Sequence, residues 1–401
     1  MLKVIFLNIL TVFGWLTLAL WSAALLWTFY CLKKQKPLKP VKSENADKAN
    51  KPQPDTFVSI LVPARNEAFR VLDKSIASII DQSYDNFEVI VLNDRSTDAT
   101  KKILEEYKSQ SSKIKIIDGA ELPKGWLGKP YALQQALQRA NGEWIITTDA
   151  DIIFAPETLL TAVRYAEENN FDALTLAPKL ILHSFWEILF MPVFGWFCIL
   201  AMPFHRVNNP DRAESMGVGN FFMFRRKVLN KIGGFESVKS QVAEDLKLAE
   251  IIKKQQFKLR IDYAPELIET RMYAGFWEIW EGFTKNLFSG MKFSLPKTIF
   301  GIISVFLFGV IPFLLILVAL VFGQLMLFLL LFFVYIIQTL IFAFLHLEWR
   351  GNLLYALLTP FGLFIFLSIL VNSTVKVLSG RGVTWKGRVI YGEGGVPPPR
   401  V

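Results

Sequence analysis

The sequence predicts an α/β domain, with a mainly parallel sheet flanked by helices, set between membrane-spanning helices at both ends of the chain. Three observations predict it. Between Thr56 and Thr148, short Val/Ile-rich runs alternate with helix-length amphipathic stretches, the pattern of a parallel sheet covered by helices. Val4 to Tyr30 and three runs in the last third of the chain are almost uncharged and long enough to cross a bilayer. The composition, 52% hydrophobic and 20% charged, is too apolar for a purely soluble protein and too charged for a membrane bundle alone.

Val4 to Tyr30 is followed at once by Lys33, Lys34, Lys36, Lys39 and Lys42, with only Lys3 before it. A cleaved leader has the opposite arrangement, so residues 1–32 are expected to be an uncleaved anchor whose C-terminal side is cytoplasmic. Residues 33–55, rich in Lys, Pro and Asn and without periodicity, form a linker. A domain is expected over residues 56–290. Phe57 to Pro63, Phe87 to Leu92, Ile114 to Ile117 and Trp144 onward are expected strands. Val71 to Asp81, a stretch capped by Ser96 or Thr97, and Pro130 to Arg139 are expected helices. Gly217 to Arg226 reads as a further strand and Val242 to Gln255 as a helix. His183 to Phe204 is apolar, aromatic and broken by Pro192 and Pro203. A single crossing there would put the later segments on the far side of the membrane from Asp149, so an interfacial or re-entrant hairpin is expected. Ile299 to Phe322, Leu325 to Leu345 and Leu353 to Val371 are expected spans within residues 296–379. A re-entrant last run, broken at Pro360-Phe361-Gly362, would return the basic tail, residues 380–401 with Arg381, Lys386 and Arg388, to the cytoplasm.

Charge and cysteine usage exclude several functions. The net charge of +9 fits a basic collar at an anionic membrane surface. No basic helix interleaved with aromatics appears, so nucleic acid is not an expected partner. Both cysteines, Cys31 and Cys198, lie in apolar runs, which leaves neither a disulfide framework nor a zinc site. The three histidines, His183, His205 and His346, are scattered.

Chemistry is concentrated where strands end. Trp144 to Thr147 runs into Asp149-Ala150-Asp151. Side chains at i and i+2 reach one crevice if the chain turns there, and two hard oxygen ligands beside a diphosphate are what Mg²⁺ or Mn²⁺ takes. Pro63-Ala64-Arg65-Asn66-Glu67 closes the first strand, where a base and ribose can be gripped; a surface loop with a salt bridge is the plainer reading. Asp94, in Asn93-Asp94-Arg95-Ser96-Thr97-Asp98, can accept hydrogen bonds from a base. An EF-hand fails here, because Ala99 stands where glycine is required. Gly125-Trp126-Leu127-Gly128-Lys129-Pro130 is not a phosphate loop, although Lys129 at a helix start suits an anion. Glu244 and Asp245 open a helix, either as a candidate general base or as charges complementing the dipole. Arg271 and Lys285 can hold a departing diphosphate, the latter in a stretch with Trp277 and Trp280 that also reads as a plain interface helix.

In this order the motifs resemble the family 2 inverting glycosyltransferases of GT-A fold, over roughly Phe57 to Gly290. The anchor, the C-terminal runs, the stretch Glu281 to Asn286 and the tail Gly382-Val383-Thr384-Trp385-Lys386-Gly387-Arg388 resemble the membrane-bound branch that includes carotenoid and hopanoid-associated transferases. The resemblance implies a mixed, mainly parallel sheet, a nucleotide-diphosphate sugar donor (a UDP-sugar expected), a divalent metal and a membrane lipid acceptor. It implies that Pro63, Ala64, Arg65, Glu67 and Asp94 line the base and ribose, with Lys129, Asp149, Arg271 and Lys285 also on the donor. Asp149 and Asp151 would serve the metal, Asp245 would be the general base, and Gly219, Asn220 and Glu244 would face the acceptor. Processive members carry Gln-x-x-Arg-Trp where this chain has Glu281 to Asn286, which argues against polymer synthesis. A polyprenyl phosphate or polysaccharide acceptor, or a membrane protein that binds sugar nucleotides without turnover, are the alternatives. A bacterial inner membrane with the catalytic domain in the cytoplasm is the expected location.

Overall fold

The computed structural model describes residues 2–41, 54–349, 351–385 and 388–390. Lys42, Arg350, Lys386, Gly387, most of the linker and the last residues of the tail lie outside them. The chain forms two compact units. One is Met1–Lys34, Leu182–Pro203 and Tyr273–Val383; the other is Gln35–Ile181, Phe204–Met272 and Thr384–Val401.

The second unit is the α/β one. Its strands are β1 (Val58–Ala64), β2 (Phe87–Asn93), β3 (Ile114–Asp118), β4 (Trp144–Thr147), β5 (Ile152–Phe154), β6 (Ala173–Ala177), β7 (Lys179–Leu180), β8 (Phe222–Arg225), β9 (Leu259–Tyr263) and β10 (Ile268–Thr270). Seven form one sheet in the order β3-β2-β1-β4-β8-β6-β9, and β5-β10-β7 form a small second sheet. β3, β2, β1 and β4 are mutually parallel. β8 is antiparallel to both β4 and β6, and β6 is parallel to β9. The sheet is therefore mixed and mainly parallel.

Both faces of this sheet are buried, which is why its strands read as continuous apolar runs. Val58, Ile60 and Val62 point into one core with Ile76 and Ile79 of the helix Leu72–Ile80. Leu61, Ile90, Leu92 and Ile145 point into the opposite core with Leu133 and Leu137 of the helix Gly128–Leu137 and Leu248 of the helix Glu244–Lys254. Alternation along each strand sets this division.

Two local expectations are corrected. The helix Thr100–Gln110 is not capped by Ser96 or Thr97; Asp98 Oδ1 accepts from Thr100 N at 3.0 Å instead. The strand expected over Gly217 to Arg226 is shorter, Phe222–Arg225, because Gly217 to Asn220 are used as loop.

The first unit is helical. Among the described residues, five helices are long and apolar enough to cross a membrane: Ile5–Lys34, Phe185–Val207, Leu295–Val321, Leu325–Glu348 and Leu353–Leu378. No hairpin forms at Pro192: Phe185–Ala201 is one helix, opened by a capping box between Ser184 and Glu187. A proline inside an apolar helix is tolerated where neighbouring groups re-satisfy the freed carbonyl. The last run does not turn back at Pro360 either. A 3₁₀ turn, Leu353–Leu358, leads into the helix Thr359–Leu378, and Pro360 falls in its first turn, where no amide donor is needed. Polar contacts bind these helices together. Trp196 Nε1 donates to Thr28 Oγ1 at 2.9 Å, and Ser373 Oγ donates to Thr284 O at 2.5 Å.

Candidate active site at the strand ends

β1, β2 and β4 all end at one edge of the large sheet, so the segments that succeed them are brought together. Asp94 N donates to Ala64 O at 2.8 Å, joining the two loops at their roots. Beyond that point side chains from each loop satisfy the other. Arg65 Nη1 donates to Asp94 O at 2.7 Å, Thr97 N to Asn66 Oδ1 at 2.9 Å and Glu67 N to Thr100 Oγ1 at 2.8 Å. Asn66 and Arg95 adopt left-handed φ of 52° and 51°. Asp98 accepts from both Ala68 N and Thr100 N; burial works against its charge, but these bonds outweigh it and hold its carboxyl below the usual range. Sequence reading gives Asp98 no role beyond the motif, because its partners lie on the other loop.

β4 stops at Thr147, and the chain turns before β5 joins the other sheet. The turn separates the partners of the two acids. Asp149 Oδ1 lies 2.7 Å from Lys129 Nζ, which also lies 2.8 Å from Glu244 Oε1. Asp151 Oδ2 instead lies 3.3 Å from Arg70 Nη1, which also donates to Met272 O at 3.2 Å. Sequence reading misses Arg70; as one charged residue in a loop it carries no sign of its partner.

Lys129 is the centre of the densest part of the site. Glu244 is nearly buried, while the lysine and Asp149 side chains are each 34% exposed. Beside them, Gly219 N donates to Asp245 Oδ2 at 2.9 Å and Leu246 N to Asp245 Oδ1 at 2.8 Å. A Cβ at Gly219 would lie 2.9 Å from Lys129 Nζ, 3.2 Å from Asp245 Oδ2 and 3.5 Å from Asp149 Oδ2, so three charged groups meet around this glycine. Desolvation, then the neighbouring charge of Glu244, pushes Asp245 up to about 6. Burial also opposes the charge of Lys129, but Asp149, Glu244 and Asp245 outweigh it and keep the ammonium protonated well above the ordinary lysine value.

The loop before β8 closes the site. Thr148 Oγ1 donates to Asn220 O at 2.7 Å. Gly217 admits no side chain: a Cβ there would overlap the Asp245 carbonyl oxygen and the Phe222 ring. Gly217→Ala is expected to cost about 2 kcal/mol in stability by overpacking and to lower turnover by displacing Asp245. Thermal melts and initial rates check this; an alanine variant with the parent's melting temperature and rate contradicts it.

The structure thus joins Lys129, Asp149, Gly219, Glu244 and Asp245 in one cluster, and Pro63, Ala64, Arg65, Glu67 and Asp94 in the adjoining loops. Arg271 comes directly after β10 in the same unit, whereas Lys285 lies on the helix Phe276–Gly290 of the helical unit. Among the described residues no three His, Cys, Asp or Glu side chains converge as an all-protein metal site. Asp149 and Asp151 offer oxygen donors at one strand end, a set that suits Mg²⁺ or Mn²⁺ completed by a diphosphate and water.

Comparison with known proteins agrees with this geometry. The model of glycosyl transferase family 2 matches residues 59–233. A 4,4'-diaponeurosporenoate glycosyltransferase of Staphylococcus aureus (strain USA300) is 28% identical over 257 residues, 63% of this chain and 66% of the relative. Its counterpart in strain MRSA252 is 27% identical over 255 residues with the same shares. The match thus spans just under two thirds of the length of these relatives. A mannosyltransferase from Pyrobaculum calidifontis, solved with GDP-Man and Mn²⁺, superposes with a TM-score of 0.52 at 18% identity, covering 92% of this chain and 99% of that one. That likeness concerns the fold. Residues 59–233, which carry most of the mixed sheet and the strand-end acids just described, thus match glycosyl transferase family 2.

Proposed function

We propose that the chain is an inverting glycosyltransferase that moves a sugar from a nucleotide-diphosphate donor to the hydroxyl of a membrane lipid of isoprenoid, carotenoid or hopanoid type. The observation that carries the reading is the Asp245 carboxylate, held by Gly219 N–H beside the Lys129–Asp149 pair. A base poised at about 6 is ionised near neutrality yet basic enough to take a hydroxyl proton. The family, the relatives' name and the five apolar helices support a membrane enzyme with a lipid-like acceptor.

The residues divide the work. Arg65, Glu67 and Asp94, with Pro63 and Ala64 as the floor, grip the base and ribose. Asp151 with Asp149 would hold Mg²⁺ or Mn²⁺ together with the donor diphosphate, where the cation supplies charge neutralisation for the leaving group. Arg271 adds cationic charge on the leaving-group side. Asp245 removes the acceptor proton as its oxygen attacks the anomeric carbon from the face opposite the diphosphate, so one displacement inverts configuration. Lys129 balances Asp149, Glu244 and Asp245 and keeps Asp245 ionised; Glu244, Gly219 and Asn220 face the acceptor. The catalytic unit works on the cytoplasmic side of a bacterial inner membrane, where nucleotide sugars are made.

A second reading comes from the relatives' name, which is that of a carboxylate. A carboxylate acceptor is already an anion and needs no base. The test uses membranes containing the protein, labelled UDP- and GDP-sugars, organic extraction and anomer analysis of the product. Label in an extractable lipid with inverted configuration is expected. Label that stays in water, or that appears in polymer, removes the lipid acceptor. Alkaline lability of the product identifies an ester, and with it the carboxylate reading.

A further inference from the structure

The helix that carries Asp245 at its start carries Lys253 near its end, eight positions on and about 12 Å further along the axis. Lys253 makes no ion pair among the described contacts of its helix, unlike Lys247 and Lys254, which both reach Glu250. Its ammonium donates to three main-chain carbonyls: Val207 O at 2.7 Å, Asn209 O at 2.9 Å and Glu214 O at 2.6 Å. A lysine has three donors, and all of them are spent on one loop.

That loop is the segment Val207 to Gly219. Its first part is pinned twice. Besides Lys253, the Asn208 amide pairs with Ile261 of β9, accepting from its N–H and donating to its carbonyl, each at 2.8 Å. β9 is the outermost strand of the sheet, so this side chain occupies backbone groups that no further strand pairs. The last part of the loop is pinned at the candidate site. Val218 N donates to Thr175 Oγ1 at 2.9 Å, Gly217 packs on the Asp245 main chain, and Gly219 N donates to Asp245 Oδ2. One helix therefore holds both ends of one strap, by Lys253 at its C-terminal end and by Asp245 at its N-terminal end.

We propose that Lys253 is a positioning residue: by clamping Val207, Asn209 and Glu214 it fixes the path of the strap, and so the Gly219 N–H that orients the Asp245 carboxylate toward the acceptor. A surface ion pair would not do this, since a carboxylate partner could swing with its side chain whereas three carbonyls are part of the strap itself. Burial also draws the Lys253 ammonium below the ordinary lysine value, against the charge of Glu214, as for a group turned inward onto dipoles. The kinetic half of this inference rests on Asp245 as the base of the proposed reaction; the structural half does not.

The test compares Lys253→Met and Lys253→Arg in the full chain, reconstituted in lipid nanodiscs, by hydrogen exchange resolved to the Gly219 amide and by transfer kinetics. In Lys253→Met, Gly219 exchange is expected to rise about tenfold or more, while β6 and β8 amides keep their protection. The turnover number is expected to fall about tenfold, with nucleotide-sugar affinity unchanged. Lys253→Arg keeps the charge but presents a planar fork instead of three convergent donors, so it is expected to fall between parent and Met variant on both readouts. Unchanged Gly219 protection in Lys253→Met overturns the proposal, as does an arginine variant indistinguishable from the parent. General loss of protection in the Met variant leaves the arginine variant to decide. If no variant, nor the parent, transfers sugar, the proposed reaction fails, and the exchange data still decide the role of Lys253.

Discussion

Asp245→Asn is expected to lower sugar transfer by about 10³-fold while nucleotide-sugar affinity stays near that of the parent. The substitution keeps the shape, and the amide oxygen can still accept from Gly219 N–H, so only the capacity to take a proton is removed. A pH dependence goes with this role. In the parent, the acid limb of the rate profile is expected at about 6, where Asp245 gains its proton, with rate lost about tenfold per unit below that. Stability moves the opposite way. A carboxylate raised to about 6 in the folded chain binds a proton more tightly there than in the unfolded chain. Between the ordinary carboxylate value and about 6 the folded state therefore holds more protons, and stability falls as pH rises through that window. Asn at this position carries no such cost, so the inactive variant is expected to melt higher than the parent at about pH 8. Rates against pH, donor titration and thermal melts measure all three. Full transfer by Asp245→Asn would remove Asp245 from the base role and favour an acceptor that is already anionic.

Lys129→Met is the second large effect. The lysine joins Asp149 and Glu244 at 2.7 and 2.8 Å and faces Asp245. Without it three carboxylates share a partly desolvated space. Breaking such a pairing by removing one partner costs more than the pairing itself contributes, because the remaining charges stay buried. The lysine and Asp149 are each 34% exposed, so solvent screens part of this, and a loss of about 2 kcal/mol is expected. Protonation relieves the repulsion, so the melting temperature of the variant should approach that of the parent as pH falls toward about 5. The acid limb of the rate profile should move upward from about 6, leaving activity at neutral pH about a hundredfold down. A variant whose melting deficit is the same at about pH 5 and about pH 8 would show that Lys129 acts by packing and not by charge.

Much of the site is legible in the sequence because strand ends announce themselves. A Val/Ile run that stops at Asp149, and another that stops before Asp94, place those acids at one sheet edge as soon as the strands are parallel neighbours. The long-range contacts are not legible. Nothing near Arg70 marks Asp151 as its partner, 81 positions away, and nothing near Lys253 marks the carbonyls of residues 207 to 214. Main-chain acceptors have no sequence signature at all, since every residue has one. The breaks expected at Pro192 and Pro360 do not occur, for a related reason. A proline breaks a helix only where its missing N–H or its ring meets an obligation. Pro360 falls in a first turn that has none, and Pro192 lies inside a helix that continues through it.

By itself the amino-acid pattern determined local periodicities: the four parallel strands β1 to β4 and helices between them, the runs that match a bilayer, and the acids at strand ends; it did not mark β5, β6, β7, β9 or β10. These periodicities are local properties, set by side-chain spacing along a few residues of chain. Only the tertiary structure decided that Lys129 would neutralise Glu244 from a segment 115 positions away, that a glycine amide would hold Asp245, and that Arg70 would stand against Asp151. Those contacts depend on the order and direction of strands in the sheet, above all on β8 entering antiparallel between β4 and β6, and no spacing along the chain encodes that order.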